Sequence, residues 1–386
     1  MFLDVALERN PQLCELAIEL HQTGLIPPDT YLLDIDAISA NAEAIASTSA
    51  EHGITPWFIT KQFGRNPLIA QAIAKHIPSC TVVDFHEYRR MRSAGIKVAN
   101  IGHLVQMPPR LLANALQGQP ETVTVSSLEM LHEVGRVCEE NGTKQGVLLK
   151  IRSDDSEVYP GQEGGFRTVA EACSFIDQSS YLSCAGVTGF PSVLFKQEQG
   201  NPVLTKTAHL VKEAHTDLCE RYGKKLILNL PSHSSVATTP MLAEFGATHS
   251  EPGHALTGTT PQHAVDYSLP EIPAYVYVSE IAQTGVYTSV YGGGFYPRGQ
   301  IDKALFVSSD GTRTKRALVE PTIGNIDYYR IVRDGSGLHI GDTALMAFRS
   351  QIFVTRSLVA VVSPSQRKIL GFYDSQGLLE TEVNYG

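Results

Sequence analysis

The chain has 386 residues, 42% of them hydrophobic, with a single tryptophan and a formal net charge of −9. That length bounds the protein to two domains, or one large barrel with an appendage, and leaves room for a sizeable core. The acidic balance, with no run of like charges, argues against nucleic acid and anionic membranes as partners.

The six cysteines (Cys14, Cys80, Cys138, Cys173, Cys184 and Cys219) show no CxxC pairing, and most lie in apolar surroundings. They read as reduced core residues rather than a disulfide framework or a zinc site. The N-terminus lacks a basic segment followed by an apolar block, and no apolar run approaches membrane-spanning length. A soluble, cytoplasmic protein is expected.

In chain order, residues 4–24 carry Leu13, Leu16 and Leu20 at helical spacing and end at Gly24, which predicts a leading helix. Tyr31-Leu32-Leu33-Asp34-Ile35-Asp36 opens an Ala-rich helical segment over 37–50. Short apolar runs then recur at 57–60, 81–85, 100–105, 122–125, 147–151, 184–188, 226–230 and 247–250. Amphipathic stretches fill most of the gaps between them. Eight strands alternating with helices predict a (β/α)8 TIM barrel, whose usual size is about 250 residues. After residue 270 the composition changes: Ala274-Tyr275-Val276-Tyr277-Val278 alternates, turn signals recur, and no long helical pattern follows. The expected division is a barrel with its leading helix over 1–270 and a separate C-terminal all-β domain over 271–386.

Barrels of this type carry their active sites at the carboxyl ends of the strands, with a phosphate site often formed after strands seven and eight. Strand one, in Thr55-Pro56-Trp57-Phe58-Ile59-Thr60-Lys61, ends in a lysine. An amine there is costly unless neutralised, paired or covalently used, although it also fits an ordinary lysine at a strand rim. Strand seven runs into Pro231-Ser232-His233-Ser234-Ser235, which suits a phosphate monoester and equally suits a plain helix cap. Strand eight runs into Glu251-Pro252-Gly253-His254. Glu251 also fits an acid at a helix start, and Asp84 and Glu87 after strand two fit a cap. A lysine across a barrel mouth from a phosphate cradle suggests pyridoxal phosphate. No tight histidine spacing marks a metal site, and none is expected.

With those residues in view, the chain resembles the alanine-racemase family of fold-type III pyridoxal-phosphate enzymes over most of its length. The segment from Tyr31 to Asn41 resembles the family's opening "v-x-Ile-Asp-Leu-x-Ala-Leu-x-x-Asn". Lys61 with Phe63 and Gly64 resembles Lys-x-x-x-Tyr-Gly, two residues shorter and with phenylalanine for tyrosine. Gly186-Val187-Thr188-Gly189-Phe190 stands where the family has Gly-x-x-Thr-His, and Glu251-Pro252-Gly253 stands where it has Arg-Pro-Gly. Val290-Tyr291-Gly292 resembles the tyrosine motif of the second domain, and Gly324-Asn325-Ile326-Asp327 resembles its Gly-x-x-Cys-Met-Asp.

The resemblance implies roles. Lys61 would hold the cofactor and act as base on one face of the substrate Cα, and Tyr291 of a partner subunit would act on the other, which implies a homodimer. Phe63, Phe190, Ser234, Ser235, Glu251, Gly253 and His254 would surround the cofactor; Lys150, Ile326 and Asp327 would meet the substrate. The implied activity is a racemase or epimerase of an amino acid, an isomerase of amino-acid metabolism. Decarboxylation, elimination from a D-amino acid and a non-catalytic cofactor carrier are the rivals. The carboxylate of Glu251 in place of arginine implies a stronger electron sink at the ring nitrogen. The family's substrate-carboxylate arginine has no clear counterpart near Glu163-Gly164-Gly165, so the resemblance does not fix alanine as the substrate.

Overall fold

The computed structural model describes residues 1–153, 164–292, 294–296, 298–299, 301–320 and 328–381. The chain forms two compact units, one of residues 1–41, 61–72 and 254–386 and the other of 42–60 and 73–253.

The second unit is the barrel. Its parallel strands lie in the order Thr55–Pro56, His249–Ser250, Ile227–Asn229, Leu182–Gly189, Gln145–Ile151, Thr122–Val125, Lys97–Ile101 and Ser79–Thr81. A parallel bridge between Phe58 and Cys80 joins the last strand of this order back to the first. Seven of the eight expected runs overlap a strand, and a wholly buried pattern such as that of Thr122–Val125 explains why they read as short apolar runs; at 57–60 the strand lies just before the run, at Thr55–Pro56. The helix Leu128–Asn141 is typical of the elements between: Ser127 caps its start, and Gly142 ends it in the left-handed region at φ 62°.

The first unit is a nine-stranded sheet with two helices on one face. Its main path runs Arg313–Ala317, Lys303–Val307, Thr343–Met346, Tyr275–Gln283, Thr30–Asp34, Leu358–Ser363 and Lys368–Tyr373, while Ser289–Tyr291 and Tyr329–Ile331 extend from Tyr275–Gln283. The alternation in 274–278 becomes two faces. Val276 and Val278 pack with Leu32 and the helices' Leu13, Leu16 and Leu20. Tyr275 and Tyr277 turn the other way, onto Tyr31 and Phe348. All three tyrosine hydroxyls are satisfied there: Tyr275 donates to the Phe348 carbonyl (2.6 Å), Tyr277 to Asp29 (2.7 Å) and Tyr31 to the Gly294 carbonyl. Gly294 has no room for a side chain, since a Cβ would stand 2.3 Å from the Tyr277 ring.

Two expectations change. The leading helix is two helices, Phe2–Arg9 and Pro11–Gln22, because Asn10 caps the second and Pro11 occupies its first turn. The compact units also do not divide at 270/271. Thr30–Asp34 is hydrogen-bonded between Tyr275–Gln283 and Leu358–Ser363, and Asn10 donates to both Asp34 (2.8 Å) and the Pro273 carbonyl (2.9 Å), so the N-terminal 41 residues cluster with the C-terminal sheet.

All six cysteines are free thiols, five of them buried. Among the described residues no helix is long and apolar enough to cross a membrane.

Inside the barrel the His249 ring lies 4.4 Å from that of Trp57, and burial pushes its imidazole down to about 4. A histidine whose folded pKa is depressed below its unfolded value costs stability on acidification. The loss begins as pH falls through the unfolded value near 6.5 and is complete below about 4, reaching at most about 3 kcal/mol. Denaturant titrations at pH 7 and pH 5 should therefore show a weaker barrel at pH 5, and His249→Gln should remove that part of the slope.

Candidate active site

Side chains two apart on a strand share a face, and this rule builds the barrel interior in layers. Trp57, Ala99 and Leu148 form a buried cluster completed by Ala185 and Ile227. Two residues further along the strands that carry Leu148, Ile227 and His249 come Lys150, Asn229 and Glu251, all buried. Thr188 pairs in register with both Lys150 and Asn229. An apolar layer is thus overlaid, towards the carboxyl ends of the strands, by a polar one.

Glu251 is the centre of that polar layer. Its Oε1 accepts from the Asn229 amide (2.8 Å) and the Thr81 hydroxyl (3.1 Å), and its Oε2 lies 3.5 Å from Nε2 of His103. The Glu251 backbone N–H donates to the Ser234 hydroxyl (3.1 Å). A buried carboxylate held by this many donors has a fixed orientation. It is built into the barrel mouth; it does not act as a surface helix-start acid. His103, just past the strand Lys97–Ile101, was not singled out in the sequence. It is buried, and its ring stands edge-on to Phe190 with centroids 6.1 Å apart. Its only sequence signal is a glycine-histidine pair at the end of an apolar run.

The loop after strand seven is strained in a way glycine would relieve. Ser232 (φ 80°) and His233 (φ 49°) both adopt the left-handed region, at about 1–3 kcal/mol each. The Ser232 hydroxyl holds the loop by accepting from the N–H groups of Ser192 (3.0 Å) and Val193 (2.9 Å). The Ser235 hydroxyl lies 3.2 Å from that of Thr238. Neither Ser234 nor Ser235 caps the helix Thr239–Glu244, whose cap residue is Thr238. Turns of this kind can present successive N–H groups to an anion. A hairpin absent from the expected elements, Val193–Lys196 paired with Asn201–Leu204, flanks the loop, and its Phe195 stacks on His233 at 6.0 Å.

Asp84 is the helix cap expected of it, accepting from the Glu87 N–H. Glu87 is fully buried and accepts from the Thr60 hydroxyl and the Val83 N–H, so it braces the residue immediately before Lys61. Gly253 is buried in the bend after strand eight, where the Pro252 carbonyl accepts from the Ile59 N–H (2.9 Å).

In the first unit, Lys61 opens a short 3-10 turn, Lys61–Phe63, and is half-buried, while Phe63 is fully buried. The turn is braced by the C-terminal segment. Gly64, at φ 67°, could not carry a Cβ, which would meet the Ser375 carbonyl at 2.9 Å. Arg65 donates to the Gln376 side chain (2.6 Å) and lies over the Phe353 ring. His254 accepts at Nε2 from the Arg349 guanidinium (3.2 Å), which leaves its proton on Nδ1, facing the Thr259 hydroxyl (3.2 Å). Tyr291 ends the strand Ser289–Tyr291, 37% exposed, with its ring 6.0 Å from that of Tyr329. Ile326 and Asp327 lie outside the described residues. Among the described residues no cluster of three or more acidic, histidine or cysteine side chains could hold a metal.

An eight-stranded parallel barrel with a separate antiparallel β domain is the fold of the fold-type III pyridoxal-phosphate enzymes, a class that includes racemases, aldolases and dehydratases. Residues 33–261 match the family described as "Alanine racemase, N-terminal domain", and the chain belongs to that family. Its alanine racemase-like members bind pyridoxal phosphate. Residues 276–369 match "YhfX-like, C-terminal domain". The chain is 37% identical over 385 residues to "Uncharacterized protein YhfX" of Escherichia coli (strain K12), covering 98% of this chain and 99% of that one. It is similar in fold to alanine racemase of Clostridium difficile 630 (18% identity, 90% and 98% of the two chains, TM-score 0.62). D-threonine aldolase from Filomicrobium marinum is also similar (15% identity, 92% and 96%, TM-score 0.68).

Proposed function

We propose that this protein is a pyridoxal-phosphate-dependent racemase or epimerase of an amino acid, working in the cytoplasm as a homodimer. The observation that supports it most is the oriented carboxylate of Glu251 at the carboxyl end of strand eight, in a chain of this family. The donor set suits the cofactor: an anion for a protonated ring nitrogen, a hydroxyl-rich turn for a phosphate, and a lysine for an aldehyde.

In this reading Lys61 binds the cofactor covalently and Glu251 meets its ring nitrogen. Residues 232–235 with Gly253 and His254 take the phosphate, and Phe63 and Phe190 flank the ring. When bound, the cofactor supplies an electron sink for the pair left on Cα. The chain's own residues then move protons. The Lys61 amine takes the Cα proton from one face, and the phenol of Tyr291 from a second copy delivers a proton to the opposite face, which inverts the centre. Lys150, Ile326 and Asp327 orient the substrate. The exposed side chains of Val286, Tyr287, Tyr328 and Tyr329 near Tyr291 in sequence or contact suit a face that a second copy covers.

Incubation of the cofactor-loaded protein with a panel of amino acids in deuterated water tests this. Racemisation gives deuterium at Cα with inversion; decarboxylation gives amine and carbon dioxide; elimination gives ammonia and a keto acid. Tyr291→Phe should suppress exchange starting from one enantiomer far more than from the other. Cα proton exchange at the parent's rate from both enantiomers in that variant would end the two-base assignment.

A further inference from the structure

We infer that His103 is a positioning residue for Glu251, one that keeps its carboxylate ionised and aimed. This inference rests on the cofactor reading above, in which that carboxylate meets the ring nitrogen.

The two oxygens of Glu251 are not equivalent. Oε1 is engaged by Thr81 and Asn229, both neutral donors, while Oε2 faces the His103 imidazole at 3.5 Å. Both side chains are almost wholly buried, with exposures of 1% for His103 and 2% for Glu251. A carboxylate taken out of water reverts towards its neutral acid unless donors stabilise the charge. A neutral acid would not favour a protonated ring nitrogen. Two neutral donors on one oxygen leave the charge to be met on the other, and the imidazole is the group placed to meet it. The placement is built: His103 follows the strand end at Gly102, whose φ of 82° turns the chain, and the Phe190 ring packs edge-on against the imidazole. Lys150, in register with Thr188, is a further buried ionisable group of this polar layer, and the buried Glu87 accepts from the Thr60 hydroxyl and the Val83 N–H two residues along from Thr81.

The test is a double-mutant cycle read as the affinity of the apoprotein for pyridoxal phosphate. Glu251→Gln and His103→Leu are each expected to weaken binding about tenfold or more. If His103 acts through Glu251, the double variant should be no weaker than the weaker single one, within about twofold. His103→Gln keeps an N–H directed at the carboxylate but not the ring, so it should recover binding to within about threefold of the parent. Losses that multiply in the double variant, or a His103→Gln protein no better than His103→Leu, would show that the histidine merely packs against Phe190 and would overturn the inference. Should His103→Leu fail to fold by circular dichroism, His103→Asn takes its place in the cycle. A parent protein that binds no pyridoxal phosphate overturns the cofactor reading as well, which separates the two failures.

Discussion

Lys61→Ala is expected to lower Cα proton exchange by about 10³- to 10⁴-fold while leaving the protein folded. Borohydride reduction of the cofactor-loaded parent, followed by peptide mapping, should find the label on the Lys61 Nζ and nowhere else. The fold should tolerate the change because the residues after Lys61 hold the turn. Phe63 is buried, Gly64 fits against Ser375 where no Cβ could, and Arg65 is clamped by Gln376 and Phe353. On the other side, Glu87 holds the Thr60 hydroxyl. A melting temperature within a few degrees of the parent, together with lost exchange, assigns the loss to chemistry. An unlabelled Lys61 in active protein would end the proposed mechanism, whatever the fold.

What could be read in advance follows from which interactions are local. The barrel strands were legible because burial on both faces leaves short apolar runs bounded by helices, as in Thr122–Val125. The tyrosine-valine alternation of 274–278 was legible because its two faces meet different partners. The strand Thr30–Asp34 was not, because its partners Tyr275–Gln283 and Leu358–Ser363 are more than two hundred residues away. The hairpin of Val193–Lys196 and Asn201–Leu204 was hidden for a different reason: its burial pattern is mixed, with no clean alternation to read.

The candidate site divides in the same way. Lys61, Ser234 and Glu251 stood out as chemically unusual residues at the ends of apolar runs. His103 and Glu87 matter through contacts with residues far along the chain, Glu251 and Thr60, which no local pattern announces. Asn229 and Thr188 read as ordinary strand residues until the register sets them beside one another, with a 3.2 Å hydrogen bond between them.

Glu251→Gln carries the second large effect, a fall in Cα proton exchange of about 10²-fold. Glutamine has the same shape, and its amide oxygen can still accept from Asn229 or Thr81, so the polar layer stays paired and the change isolates charge. Arginine, the residue of the Arg-Pro-Gly pattern, is the harsher substitution. It would strip the acceptor from Asn229 and Thr81 and stand a cation opposite the His103 imidazole, at about 1–3 kcal/mol for each buried group left unpaired. The glutamine variant is therefore the informative one. The measurement is loss of the Cα proton signal in deuterated water, by NMR, at saturating cofactor, on whichever amino acid the panel identifies. A rate equal to the parent's would mean that no charge at position 251 is needed in the reaction. The carboxylate would then serve only to tie strand eight to Thr81, Asn229 and the loop at Ser234. A fall in rate with an unchanged melting curve would instead identify its charge as part of the chemistry. It would also explain why this chain tolerates a buried acid in the barrel mouth.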